Sequence, residues 1–154
     1  MDLDENFREF VALLARHDVQ YLVVGGYALA AHGYPRATGD FDAWIRTSAD
    51  NARRLMKVLA EFGFGEVGIT EGDLTSSDCV LQLGYPPNRI DLLTRVSGLE
   101  FEDAWERRMH VSLDGIDVNF VGRDDLIVNK RATGRPQDIV DVLRLTKGQI
   151  TSTD

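Results

Sequence analysis

The feature that most constrains the fold is an apolar strand that runs straight into a glycine pair and a helix. Val19–Val24 is a short, nearly all-apolar run, which predicts a buried strand. It ends at Gly25-Gly26, and the small side chains that follow as far as His32 predict a helix packed closely on a sheet. A turn leads to Asp40–Ile45, where apolar and polar residues alternate as in a half-buried strand. The stretch therefore predicts a strand–helix–strand unit.

Periodicity and turn residues predict the other elements. The glycine-rich residues 63–72 are expected to form a loop with at most one short strand. The fold class predicted is α/β (α+β), a mixed β-sheet packed against helices, in a single domain over residues 1–150 with a frayed tail at 151–154. The predicted helices cover residues 5–14, 26–32, 48–62, 101–107, 126–133 and 136–145, and the predicted strands cover 19–24, 40–45, 79–83, 89–94, 109–113 and 116–121. Asp114-Gly115 between the last two strands predicts a hairpin.

Composition limits the function classes. The 154 residues carry a formal charge of −8, so no overall field attracts nucleic acid, and any phosphate site must be local. Cys79 is the single cysteine, and the acidic N-terminus has no signal-type apolar core, so a reducing, cytoplasmic location is expected. No apolar run approaches the ~20 residues that span a bilayer, so no membrane partner is expected.

Asp40 and Asp42 are the first candidates for chemistry. Residues two apart on a strand point to the same face, so both carboxylates project together. Mg²⁺ binds such a pair together with substrate phosphate oxygens. The alternative is a half-exposed strand with acids on its wet face, and for an isolated D-x-D pattern this is the more common case.

Asp91 is a third candidate carboxylate. It lies in the apolar run Arg89–Leu93, where an acid is costly unless it is paired or metal-bound. If this strand neighbours the Asp40 strand, three carboxylates can hold two divalent ions for an in-line phosphoryl displacement. The alternative, a strand-end acid paired with Arg89 or Arg95, is equally compatible with this residue alone.

Gly25 and Gly26 are candidates for phosphate binding. A strand that leads through glycines into a helix lets backbone N–H groups approach an anion. The spacing fits neither the dinucleotide fingerprint nor the P-loop, because the next glycine after Gly26 is Gly33. A plain strand-to-helix turn is the alternative.

A second polar cluster lies near the C-terminus. Lys130 falls on one predicted helix and Asp138 on the next, with Arg135 in the turn between them. A basic cluster in an acidic protein is explained by triphosphate charge. Helix-pairing salt bridges are the alternative, and they explain Arg131 and Asp141 well.

These residues together resemble the nucleotidyltransferases of the DNA polymerase β superfamily. That superfamily has a glycine pair, a D-x-D or D-x-E strand and a later third carboxylate. The chain looks closest to the abortive-infection-type toxin (AbiEii-like) enzymes and the lincosamide-type small nucleotidyltransferases. The toxin group has a segment of the form G-G-x-A-L-x-x-H-G-x-x-R-x-T-x-D-h-D, which residues 25–42 match, including Arg36 and Thr38. Lys130, Arg135, Asp138 and Asp141 match its later lysine and R-x-x-D-x-x-D helix.

The resemblance implies a role for each matched position. Asp40, Asp42 and Asp91 would be catalytic and metal-binding, with two Mg²⁺ ions expected and Mn²⁺ as the substitute. Lys130 would also be catalytic, by neutralising charge. The nucleotide-binding residues implied are Gly25, Gly26, Arg36, Thr38, Lys130 and Asp138.

The expected substrate is an NTP such as ATP, and the acceptor is open between a small molecule, tRNA and a protein. Many superfamily members carry a second, helical domain for the acceptor, whereas the resemblance here covers residues 19–145. Acceptor binding is therefore expected from the loops 63–77 and 84–88, from the other subunit of a homodimer, or from an antitoxin-type partner. Two other functions stay open: a non-catalytic nucleotide- or partner-binding module of a toxin–antitoxin-type system, and a nuclease that uses the same acids.

Overall fold

The computed structural model of the protein describes residues 3–34 and 39–151. Its helices are α1 Glu5–Arg16, α2 Gly25–Ala31, α3 Ala49–Glu61, α4 Glu71–Thr75, α5 Phe101–Glu106, α6 Arg123–Thr133 and α7 Pro136–Thr151. Its strands are β1 Tyr21–Val24, β2 Phe41–Ile45, β3 Val80–Leu83, β4 Ile90–Leu93, β5 Met109–Leu113 and β6 Ile116–Phe120. None of the described helices combines the length and apolarity needed to cross a membrane.

The strands of the described residues form one mixed sheet in the order β3-β4-β2-β1-β6-β5. β1 is antiparallel to β2, whereas β2–β4 and β1–β6 are parallel pairs. β5 and β6 form the predicted hairpin, whose turn places Asp114 and Gly115 at positive φ as a tight two-residue connection requires. The predicted mixed sheet with packed helices is confirmed.

The two faces of β2 pack against different helices. Phe41 stacks on Phe7 of α1 and also contacts Tyr27 of α2. Trp44, which has the opposite strand parity, packs edge-on against Phe101 of α5. Because Asp42 shares the parity of Trp44, its carboxylate lies on the α5 face, away from the aromatic core around Phe41.

Helix starts follow the local signals. The Asp4 side chain accepts a hydrogen bond from the Asn6 amide, and Ser48 accepts one from the Asn51 amide, as expected for N-caps. Asn51 is buried and also bonds both the amide and the carbonyl of Gln20. This side chain ties the start of α3 to the residue before β1.

The structure differs most from the sequence-based predictions in two segments. The described backbone of residues 63–72 contains no strand, and α4 begins at its end, where Thr70 and Asp73 form a reciprocal capping box. α7 also extends beyond the predicted end at Leu145, to Thr151. Residues 152–154, most of the predicted tail, lie outside the described residues.

Candidate functional site

β2 lies between the strand that leads into the glycine pair and the strand that carries Asp91. In the sheet register Asp42 is opposite Val24, the last residue of β1, and opposite Asp91 on the other side. Asp40 comes directly before β2, two residues from Asp42. The condition set by the sequence, that the Asp91 strand neighbours the Asp40 strand, is therefore met.

Gly25 makes room for the Asp42 carboxylate. Its φ is +72°, a backbone conformation that L side chains rarely adopt. A Cβ atom built on Gly25 would lie 2.3 Å from Oδ2 of Asp42. The first glycine of the pair and the second acid of the D-x-D pattern thus depend on each other sterically.

Arg89 joins two of the three acids, and together these four residues form what we call the strand cluster: Asp40, Asp42, Arg89 and Asp91. The Arg89 guanidinium donates from Nη2 to Asp40 Oδ2 at 2.9 Å. It also donates from Nε to Asp91 Oδ1 at 2.9 Å and from Nη2 to Asp91 Oδ2 at 3.1 Å. The alternative pairing of Asp91 with Arg89, raised from the sequence, is therefore observed in addition to the three-acid grouping.

The crowding of the three acids contributes to a shift in the pKa of Asp42. Burial, followed by the charges of Asp91 and Asp40 and a side-chain hydrogen bond with Asp91, raises the pKa of Asp42 to about 7. Arg89 opposes this rise but does not cancel it. Asp42 is therefore still partly protonated near neutral pH, where an ordinary aspartate has lost its proton.

A second ionic group joins α6 to α7, and we call Lys130, Arg135, Asp138 and Asp141 the helix cluster. Lys130 Nζ lies 2.9 Å from Asp141 Oδ2 and 3.4 Å from Asp138 Oδ1. All three of these side chains are at most 5% exposed. Lys130, predicted to contact triphosphate, is thus held by two carboxylates, which agrees with the helix-pairing alternative.

Asp138 is the most densely bonded carboxylate of the helix cluster. Its Oδ2 accepts hydrogen bonds from Thr133 Oγ1 at 2.7 Å and from Arg135 Nε at 2.7 Å. Burial alone would raise the pKa of Asp138, but the bonds from Arg135 and Thr133 and the charge of Lys130 outweigh it and hold the pKa below its ordinary value. Asp138 therefore stays ionised.

Arg135 connects the two clusters electrostatically. Its side chain is 73% exposed although its head is bonded to Asp138. The hydrogen bond and charge of Asp138 raise the pKa of Arg135, and the charges of Asp141 and of Asp42 add to that rise. Arg135 is a site candidate that the sequence analysis left out of its binding set, although its place in the Gly134-Arg135-Pro136 turn between the helices was the available signal.

The remaining predicted ligands divide into two groups. Gly26 follows Gly25 in the first turn of α2, whose N-cap Val24 makes no side-chain capping bond. Arg36 and Thr38 lie outside the described residues, so their predicted contacts with nucleotide stay predictions.

The strand cluster suits a divalent cation in its chemistry. Among the described residues, no group of three or more Asp, Glu, His or Cys side chains is already arranged around an ion position. Instead, Arg89 and a hydrogen bond between Asp42 and Asp91 relieve the repulsion of the three acids. A divalent cation could replace both, since oxygen-only ligand sets of this kind suit Mg²⁺. The donor atoms of these residues therefore suit the ion that the sequence predicts, although their observed arrangement is that of an ion-pair network.

Family comparison agrees with the geometry. Residues 1–147 match the model of a family described as "Nucleotidyltransferase of unknown function (DUF6036)". The chain belongs to this family. No protein in a search of curated sequences matches the chain significantly.

Solved structures share the fold at low sequence identity. A candidate nucleotidyltransferase from Thermotoga maritima, TM1012, superposes with a TM-score of 0.56 at 15% identity, covering 96% of this chain and 88% of its own. The antibiotic-resistance factor ANT(2'')-Ia gives a TM-score of 0.57 at 11% identity, with 94% and 82% covered. An antigenic nucleotidyltransferase-like protein from Paracoccidioides brasiliensis gives 0.52 at 16% identity, with 91% and 74% covered. The nucleotidyltransferase fold of the family is thus present.

Proposed function

We propose that the protein transfers a nucleoside monophosphate from an NTP to a hydroxyl or phosphate acceptor in a Mg²⁺-dependent reaction that releases pyrophosphate. Family membership supports nucleotidyl transfer at the general level. The observation that carries the finer proposal is the register of the sheet, in which Asp42 lies directly between the Gly25 turn and Asp91. The proposed phosphate-binding turn and the three carboxylates then lie together at one end of the adjacent strands β1, β2 and β4.

Asp40, Asp42 and Asp91 would hold Mg²⁺, as two ions, or Mn²⁺ in its place. When bound, the metal supplies positive charge that neutralises the triphosphate and orients its oxygens. Arg89 would leave Asp40 and Asp91 or shift toward the phosphates, since its guanidinium and the ion compete for the same carboxylates.

The chain's own residues carry the other steps. Backbone N–H groups of Gly25 and Gly26 would bind phosphate oxygens at the start of α2. Asp91 would take the proton of the attacking acceptor hydroxyl. The acceptor oxygen forms a bond to the α-phosphorus, the bond from that phosphorus to the bridging oxygen breaks, and pyrophosphate leaves with the electron pair.

The helix cluster would act through Arg135. Lys130 fixes Asp138, and Asp138 orients Arg135 toward the strand cluster, where its charge can meet the triphosphate. Under this proposal Lys130 and Asp138, predicted as direct nucleotide ligands, are positioning residues. Arg36 and Thr38 remain proposed as direct ligands.

From the resemblance to abortive-infection-type enzymes, we propose that the protein belongs to a toxin–antitoxin-type system, with a small molecule, tRNA or protein as acceptor. These acceptors can be distinguished by incubating the enzyme with α-³²P-labelled NTP and Mg²⁺ in a cell extract and finding which molecules become labelled. Label in RNA or protein fractions would favour the toxin-type assignment, and label in small molecules would favour a small-molecule acceptor, as the resemblance to the lincosamide-type small nucleotidyltransferases suggests.

The proposed function is tested with two variants of equal chemistry. Asp42→Asn removes one acid of the strand cluster, and Asp78→Asn changes an exposed aspartate just before β3. Isothermal titration with a non-hydrolysable NTP should show Mg²⁺-dependent binding for wild type and Asp78→Asn and its loss in Asp42→Asn. Label transfer should follow the same order. Wild-type-like binding and transfer in Asp42→Asn would overturn the proposal.

One observation favours a second candidate, a module that binds nucleotide without turnover. Arg89 occupies Asp40 and Asp91 at hydrogen-bonding distance, which would block the metal if the salt bridges persisted in the bound state. Such a module would bind NTP yet release no pyrophosphate with any acceptor fraction. An Arg89→Gln variant that gained pyrophosphate release would identify Arg89 as the block.

A further inference from the structure

A pocket of about 550 Å³ opens where the β3–β4 loop faces the segment after α3. Phe64 and Val67 line it from that segment, and Tyr85 and Pro86 line it from the loop. Tyr85 is 87% exposed and Val67 is 56% exposed. Exposed apolar groups gathered around a concave site are typical of a surface that binds a ligand.

Two polar side chains connect this pocket to the strand cluster. Gln82 lines the pocket and lies opposite Asp91 in the antiparallel β3–β4 register, so the two side chains share a face. Arg89 also lines the pocket, and its guanidinium bonds both Asp40 and Asp91. A molecule in the pocket would therefore be adjacent to the proposed proton acceptor.

The pocket and the glycine turn lie on opposite sides of the acids. In the sheet order, β3 and β4 are on one side of β2, and β1 with its glycine turn is on the other. In-line displacement requires the attacking oxygen and the leaving group on opposite sides of the phosphorus. With triphosphate at the glycine turn, the pocket is on the side from which the acceptor attacks.

The lining also restricts the chemistry of the occupant. Among the residues that the structure describes, the lining contains no carboxylate, although the whole chain has 25 acidic residues, and the charged side chain in it is the Arg89 guanidinium. Aromatic and proline surfaces favour a flat ring, and the Gln82 amide can both donate and accept hydrogen bonds. A polycationic acceptor would face the Arg89 guanidinium there, and that guanidinium already pairs with Asp40 and Asp91.

We infer that this pocket is the acceptor site, and that the acceptor is a small, neutral or anionic molecule with a flat ring close to its reactive hydroxyl. The inference rests on the proposed function. The hydroxyl oxygen bonds to the α-phosphorus of the NTP, its proton passes to Asp91, and pyrophosphate leaves.

Binding tests the pocket independently of catalysis. Ligand-observed NMR would use adenosine and 4-hydroxybenzyl alcohol as flat-ring probes and kanamycin as a polycationic probe. Wild type should bind at least one flat-ring probe and not kanamycin. Tyr85→Ala should weaken that binding about tenfold, since it removes an aromatic contact. Preference for kanamycin, or flat-ring binding that Tyr85→Ala leaves unchanged, would overturn the inference.

A matched pair of valines controls for surface changes. Val67→Ala should weaken flat-ring binding by roughly twofold to fivefold, because it removes apolar lining from the pocket. Val80→Ala should leave it unchanged, since Val80 has nearly the same exposure, 54%, but does not line the pocket. Equal effects of the two substitutions would contradict the assignment.

Nucleotide binding separates failure of the pocket from failure of the proposed function. Tyr85→Ala should keep wild-type Mg·NTP affinity if the pocket serves the acceptor. A parallel loss of NTP affinity would place the nucleobase there and overturn the inference while leaving nucleotidyl transfer intact. Wild type that binds flat-ring probes but no Mg·NTP would instead count against the proposed function. Label on an added tyrosine-containing protein, with none on ring-bearing small molecules, would also overturn the inference.

Discussion

The strand cluster sets three carboxylates against one guanidinium, whereas the helix cluster sets two carboxylates against an ammonium and a guanidinium. In the helix cluster the acids are at most 1% exposed. In the strand cluster Asp40 and Asp91 are 36% and 12% exposed. The strand cluster has unbalanced charge and access to solvent, whereas the helix cluster is balanced in charge and its acids are buried, although Arg135 is exposed. The difference supports the proposal that the strand cluster receives a cation, whereas the ion pairs of the helix cluster join α6 to α7.

The two clusters also respond to pH in opposite directions. The pKa of Asp42 is raised from 3.8 to about 7, so the folded state loses stability from this group as pH rises between those values. The pKa of Asp138 is lowered, so its stabilising contribution is present above pH 3.8 and disappears as pH falls through the folded-state value. Each substitution below changes one side of this contrast.

The largest effect is expected from Asp138→Ala. It leaves Lys130 buried with one partner fewer, and breaking a buried ion pair typically costs about 3–5 kcal/mol of unfolding free energy. Urea denaturation at neutral pH measures the loss, with Asp78→Ala as the exposed control. Asp138→Asn, which keeps hydrogen-bonding capacity, should unfold at an intermediate urea concentration. A loss below about 1 kcal/mol for Asp138→Ala would mean that the helix cluster contributes little to stability.

Gly25→Ala should damage activity far more than stability. The positive φ costs roughly 1–2 kcal/mol for an L residue, and the added Cβ must displace the Asp42 carboxylate. We expect kcat/KM for NTP to fall about 100-fold, the usual scale for loss of a positioned charged group.

Gly115→Ala is the matched control for Gly25→Ala. Its φ is +80°, but a Cβ there would meet nothing within 4 Å. It should carry the same conformational cost and keep activity. Equal activity losses in the two variants would contradict the steric link between Gly25 and Asp42.

Asp42→Asn should stabilise the protein when divalent metal is absent. Removing one of three crowded acids is expected to raise the unfolding free energy at pH 8 by about 1–2 kcal/mol, because one pKa unit corresponds to ~1.4 kcal/mol and coupling to Asp91 reduces the total. The gain should shrink as pH falls toward 4, where wild-type Asp42 is protonated in the folded state.

Thermal unfolding with and without Mg²⁺ makes the Asp42→Asn test sharper. Mg²⁺ should stabilise wild type more than the variant, reversing their order at sufficient concentration. A variant that is less stable than wild type without metal would show that the strand cluster is a structural ion-pair network like the helix cluster.

The smallest effect is expected from Arg135→Ala. Because its side chain is 73% exposed, the loss of unfolding free energy should stay below about 1 kcal/mol. If the Arg135 guanidinium contacts the triphosphate, removing it should raise the KM for NTP roughly threefold to tenfold with little change in kcat. Arg131→Ala, an exposed arginine of α6, is the control. An unchanged KM would confine the helix cluster to structural support.

Most of the fold could be predicted because local residue patterns indicate most of its helices and strands. The β5–β6 hairpin followed from Asp114-Gly115, and α3 from Ser48 and its apolar spacing. α4 was missed although Thr70 and Asp73 form a capping box, because glycines on both sides suggested a loop. A five-residue helix has too few periodic positions to outweigh that signal.

The acidic residues of the candidate site could be identified from the sequence more readily than the partners of its cationic residues. Asp91 could be found because an acid within an apolar strand needs a partner, but its position opposite Asp42 depends on a parallel pairing that no local pattern encodes. Arg89 was foreseen only as an alternative partner. Lys130 was assigned to phosphate from its charge and its match to the later lysine of the toxin group, since sequence cannot show that Asp138 and Asp141 enclose it.

The close approach of Gly25 to Asp42 offers a way to recognise lost function among related chains. A chain with any side chain at position 25 could keep its D-x-D pattern intact while the carboxylate moved away from its place beside Asp91. In such a chain, the acidic residues would suggest an active enzyme although the activity had been lost. If the proposed function is correct, the residue at position 25 would therefore help to distinguish active members of the family from inactive ones.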